Sequence, residues 1–120
     1  MSYIQNAYKK QTSLQVESLS DRELISASLK TLSHRVRKIK ENLHEENHGK
    51  QPSLNASFFS GVAVLVSALQ GMSLKDLADL VQAQSDQVAK ALIKNFHNHL
   101  EAQENLSKIQ ENFSALSRLF

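Results

Sequence analysis

Ile25, Leu29, Leu32, Val36, Ile39 and Leu43 fall at intervals of 4, 3, 4, 3 and 4 residues. That spacing puts them on one seam of a single long helix and on no face of a strand, where like-facing residues recur at every second position. A helix with such a seam must bury it. The next apolar stretch, Leu54 to Leu69, lies across a loop holding the chain's only proline, Pro52. Within it Phe58, Val62, Leu65 and Leu69 repeat the 4, 3, 4 interval, while Phe59, Ala63, Val64 and Val66 spill onto a second face. Two such helices joined by a short turn form an antiparallel hairpin. At about 25 cal/mol per Å² of apolar surface, leaving that second face wet costs several kcal/mol. Helices from the rest of the chain can cover it in a monomeric four-helix bundle. We expect instead that a partner, or a second copy, completes the bundle.

Composition supports an all-α fold. With 3 Gly and 1 Pro in 120 residues there are few turns, which argues against a sheet. The length suits one domain with a small core. The absence of Cys excludes disulfides, thiolate chemistry and a cysteine-built zinc site.

Local signals set the expected boundaries. Residues 1–19 hold scattered apolar positions without a sustained period and read as an N-terminal arm. Ser20-Asp21-Arg22-Glu23 is a capping box opening the helical domain, residues 20–120. The hairpin is expected over residues 20–71, with a turn at Gly49–Pro52, Ser53 or Asn55 as the next N-cap, and Gly71 as a left-handed C-terminal cap. Ser73-Leu74-Lys75-Asp76 forms a second S-x-x-D box that opens the C-terminal helices, residues 73–120. The apolar phase drifts at Gln84-Ser85 and at Asn95–His99, so breaks are expected near Ser85 and His97.

Charge and targeting signals point to the cytosol. Residues 1–50 carry nine Lys or Arg against six acids, and residues 51–120 five against six. The tight basic cluster Arg35, Arg37, Lys38 and Lys40 reads as a solvated helix face. Met1-Ser2-Tyr3-Ile4-Gln5 lacks the pattern of a signal peptide. The Leu54–Leu69 run is shorter than the roughly 20 apolar residues a bilayer needs, so no stable membrane insertion is expected.

Chemistry is sparse. His44-Glu45-Glu46-Asn47-His48 matches H-E-x-x-H, which needs two histidines one helical turn apart and a glutamate base for metal-bound water. Here it sits at a helix end beside Gly49, without a downstream ligand at metzincin spacing. His97 and His99 are two apart and cannot chelate together from one helix. No catalytic triad, carboxylate pair or phosphate loop is present, so we expect no catalytic residue, no metal site, no cofactor and no enzyme.

Ser73-Leu74-Lys75-Asp76-Leu77-Ala78-Asp79-Leu80-Val81, followed by Val88-Ala89-Lys90-Ala91-Leu92, resembles the helix-turn-helix of LacI-type repressors. The resemblance implies Ala78 at a helix crossing and a recognition helix opening at Ser85–Lys90. It departs at Gln82, where the family prefers Gly. Lys90 and Lys94 alone, beside Asp86, make a poor polyanion surface. A DNA-binding regulator using residues 73–95 is therefore the alternative reading, and no nucleic-acid partner is expected.

The whole-chain layout resembles small helical export chaperones, nearest the IcmR type of Dot/Icm (type IVB) secretion: short, cysteine-free, with a central hairpin, here Ser20–Gly71. Tyr3, Ala7-Tyr8 and Ser20-Asp21-Arg22-Glu23-Leu24 resemble the opening of FliS-type flagellar chaperones, at different spacing. Both resemblances imply a cytoplasmic chaperone or adaptor that masks the apolar helices of an aggregation-prone helical client. On this reading Ile25, Leu29, Leu32, Val36, Ile39, Leu43, Phe58, Phe59, Val62, Leu65, Val66 and Leu69 bind that client.

Overall fold

Ser20 opens the fold with an extended backbone, φ −71° and ψ 161°, and its Oγ accepts from the Glu23 amide at 3.2 Å. That half of the capping box forms as expected; the Glu23 carboxylate meets the Ser20 hydroxyl at 3.3 Å. Helix α1, Asp21–His44, follows. The computed structural model describes residues 20–45 and 49–120, so the expected arm, residues 1–19, lies outside the described residues.

Helix α2, Gln51–Gly71, starts ahead of the expected Ser53 or Asn55 cap. Pro52 fits its first turn because those amides have no intrahelical acceptor anyway. Asn55 is committed elsewhere. Its Oδ1 accepts from Gln51 Nε2 at 2.6 Å, while Gln51 Oε1 accepts from the buried Asn42 Nδ2 at 2.7 Å. These amides tie the end of α1 to the start of α2.

The next turn departs from expectation. Gly71 remains helical, and Ser73 takes the left-handed backbone at φ 62°. The Ser73 amide donates to Gln70 O at 3.1 Å and the Leu74 amide to Leu69 O at 2.9 Å, the paired bonds that close a helix around a left-handed residue. An N-cap needs a β-region backbone, so Ser73 cannot cap the next helix, and the expected Ser73–Asp76 box does not form. Helix α3, Lys75–Lys94, runs unbroken through Ser85, where a break was expected. The break near His97 is present. Asn98 then caps helix α4, His99–Arg118, its side chain accepting from the Glu101 amide at 3.0 Å.

Short connections alternate the direction of the four helices. α1 packs on α2 and α4, and α3 on α2 and α4, giving an up-down-up-down bundle of 45 × 28 × 20 Å. One core runs through it, built around Leu24, Leu29, Phe58, Leu69, Val81, Val88, Leu106 and Phe113. The rings of Phe58 and Phe113 meet edge-on, with centroids 6.0 Å apart. The most extensive contact, α1 with α4, carries a polar seam. Ser26 Oγ donates to Ser117 O at 2.9 Å, and Ser33 Oγ to Gln110 O at 3.0 Å with Ser114 Oγ 2.8 Å away. Small hydroxyl side chains let these two backbones approach closely.

Candidate interaction surface

The side chains expected to receive a client face inward. Ile25, Leu29, Leu32, Val36, Ile39, Leu43, Phe58, Val62, Leu65 and Leu69 are buried in the chain's own core, and Phe59 and Val66 are half-buried against it. The surplus apolar face of α2 is covered only in part: Phe59, Val64 and Val66 are half-buried and Ala63 is exposed. Val81, Val88, Leu106, Ile109 and Phe113 supply the surface that a partner was expected to bring. This corrects the expectation of an open hairpin: a client meets the ten buried residues only if the bundle parts, while Phe59 and Val66 keep part of their surface outside.

α2 is also longer than its apolar run. At 21 residues it is long and apolar enough to cross a membrane by length and composition, with 33% of the apolar window buried here. It carries no charged residue between Gln51 and Gly71, and Ala56, Ser57, Ser60, Ala63 and Ser67 line its outer side.

Six large apolar side chains are exposed among the described residues, Leu74, Leu80 and Leu119 at separate places and three more at one turn. Phe96 is 85% exposed, Leu100 70% and Ile93 64%, and these three flank the α3–α4 turn. The turn is held from both sides. The amides of Asn95 and Phe96 donate to Ala91 O and Ile93 O, at 2.9 and 3.2 Å, and Asn98 caps α4. The knob is rimmed by polar groups: Asn95, His97, Asn98 and the Lys94–Glu101 ion pair at 3.5 Å. The signal for it in the sequence is that Ile93, Phe96 and Leu100 fall outside the buried stripes of α3 and α4, which contain Val88 and Ala91 on one side and Ala102 and Leu106 on the other.

Other candidate sites are dispersed or absent. The basic cluster of α1 is split: Arg35 Nη1 donates to Ser57 O at 3.0 Å, while Arg37 pairs with Glu41 at 3.6 Å. Because α3 is one continuous helix, residues 73–95 contain no turn between two helices, and Ser85 is buried where a recognition helix was expected to open. The H-E-x-x-H stretch leaves the helix after His44, with Glu45 extended at φ −82° and ψ 150°; His48 lies outside the described residues. Among the described residues no group of three or more His, Cys, Asp or Glu could hold a metal ion. They do contain one close histidine pair. His44 at the end of α1 and His99 at the start of α4 place Nδ1 and Nε2 3.2 Å apart, and His99 Nδ1 lies 2.6 Å from Asn95 Oδ1. No family model, curated protein or solved structure matches this sequence.

Proposed function

We propose that this chain is a non-enzymatic helical binding protein, a chaperone or adaptor of the secretion-system kind, that covers apolar surface on a protein client through the α3–α4 corner. One observation carries the reading: of the six exposed large apolar side chains among the described residues, three, Ile93, Phe96 and Leu100, flank a single turn at one corner of the bundle. Single exposed apolar residues need no explanation, but a cluster rimmed by polar groups is the usual anatomy of a protein-binding site. Phe96 is the natural anchor, a rigid ring that loses little rotamer freedom on binding. The neutral outer side of α2 offers a second, flatter contact.

Site-specific photo-crosslinking tests this. A photoreactive residue at position 96 should yield a defined heterologous adduct in native cells, lost when Ile93 and Leu100 are changed to Asp while the thermal melt is unchanged. An adduct from position 59 but not from 96 would show that the client enters an opened bundle instead. No adduct from either position would remove the binding reading.

A further inference from the structure

The bundle brings together two imidazoles that lie 55 residues apart in the chain. Their ring centroids are 4.9 Å apart, with planes at 62°. Asn95 Oδ1 can only accept, so at 2.6 Å from His99 Nδ1 it places the proton of the neutral ring there. The Nε2 lone pair of His99 is thereby turned toward His44. A histidine whose second nitrogen is fixed by a hydrogen bond in this way is prepared as a metal ligand. With Zn–N bonds of about 2.0–2.1 Å, two nitrogens on one ion stand roughly 3.3 Å apart in tetrahedral geometry and roughly 2.9 Å in octahedral geometry. The observed separation of 3.2 Å lies in that interval.

A second observation comes from just below the pair. Gln103 is 6% exposed and donates through Nε2 to Lys40 O at 3.1 Å, yet its Oε1 has no hydrogen-bond partner. Lys40 precedes His44 by four residues, and Gln103 follows His99 by four. The amide therefore lies about one helical turn, roughly 5.4 Å, beneath the imidazoles on the same two helices. The bond from Gln103 Nε2 to the Lys40 carbonyl ties α1 to α4 just below the pair and so holds the spacing of the two rings.

We infer that His44 and His99 clamp a borderline first-row divalent cation, with Zn²⁺ as its probe, water completing the coordination. Neutral imidazole nitrogen suits this class better than Mg²⁺ or Ca²⁺. His44 also sits in the last turn of α1, where the helix dipole favours a cation, and the neighbouring Lys94 is already paired with Glu101. With two protein ligands the site is a staple between the end of α1 and the start of α4, not a catalytic centre.

The test uses the untagged full chain titrated with zinc chloride, followed by calorimetry, by imidazole nitrogen NMR and by thermal melting. One ion should bind, shifting the ring signals of His44 and His99 and raising the melting temperature by several degrees, with reversal by EDTA and no effect of magnesium. His44→Ala and His99→Ala should each weaken binding at least tenfold. Asn95→Ala should weaken it about tenfold by releasing the His99 ring. His34→Ala and His97→Ala should leave it unchanged. Zinc that leaves both rings unshifted, or that binds the His44→Ala and His99→Ala variants as tightly as the parent, would overturn the assignment.

Discussion

Arg35 lies across Gly61. Its Nη1 donates to the Ser57 carbonyl at 3.0 Å, and a Cβ at position 61 would collide with that same nitrogen, with Leu32 Cδ2 3.3 Å away. The glycine gives up helix propensity worth about 1 kcal/mol so that the guanidinium can cross the α1–α2 contact. Gly61→Ala should therefore be close to neutral, because the regained propensity offsets an Arg35 hydrogen bond worth about 1 kcal/mol. In an Arg35→Ala background the obstruction is gone, and the same change should stabilise by about 0.5 kcal/mol. Urea unfolding of the four proteins should show a coupling of about 0.5 kcal/mol. Strict additivity would mean that the two residues do not share this space.

Ser73 carries a strained turn. A non-glycine residue at φ 62° costs about 1 kcal/mol, and glycine removes that cost while adding freedom to the unfolded chain. Ser73→Gly should raise stability by about 0.5 kcal/mol, read as a higher denaturation midpoint at unchanged slope. Ser73→Val should lower it, since a β-branched side chain tolerates this backbone least.

Core and knob should respond oppositely to the same chemistry. Phe58→Ala or Phe113→Ala empties space beside the ring pair and should cost about 3–5 kcal/mol. Phe59→Asp and Val66→Asp put a charge against the core and should lower the melting temperature clearly, with loss of helical circular dichroism at physiological temperature. Phe96→Asp, at a position 85% exposed, should leave stability within about 0.5 kcal/mol and remove the client adduct formed from a photoreactive residue placed at position 100 instead.

The seam from Ile25 to Leu43 is legible in the sequence because every member is large and apolar, so its helical period stands out. The stripe of α3 is harder to see. Its buried face is Ala78, Val81, Ser85, Val88 and Ala91, and a small polar Ser85 in the middle looks like an interruption when it is a close contact in an unbroken helix. Capping signals were readable where one residue competes for the role, as at Ser20, and misleading at Ser73, whose side chain could cap α3 only if its backbone did not close α2. How far the C-terminal helices cover the surplus of α2, leaving Phe59, Val64 and Val66 half-buried, depends on how four helices share one core, which no single helix encodes. The meeting of His44 with His99 is tertiary in the same sense. Phe96 is visible only as an apolar residue out of phase at a break.

Asn42 offers the last expectation. It is 4% exposed at the end of α1, and its Nδ2 donates to Gln51 Oε1 at 2.7 Å, with Gln51 in turn held by Asn55. Asn42 is buried and Gln51 half-buried, so removing Asn42 costs the bond and leaves a partly desolvated Gln51 oxygen without its donor. Asn42→Ala should therefore cost about 1–3 kcal/mol, most of it from the stranded Gln51 oxygen. Replacing both, as Asn42→Leu with Gln51→Leu, removes the unsatisfied group and adds apolar contact where the α1–α2 connection begins. That double variant should recover at least half of the loss in a chemical denaturation series. If it is instead less stable than Asn42→Ala, the amide chain contributes by fixing the geometry of the connection, and apolar packing cannot replace it.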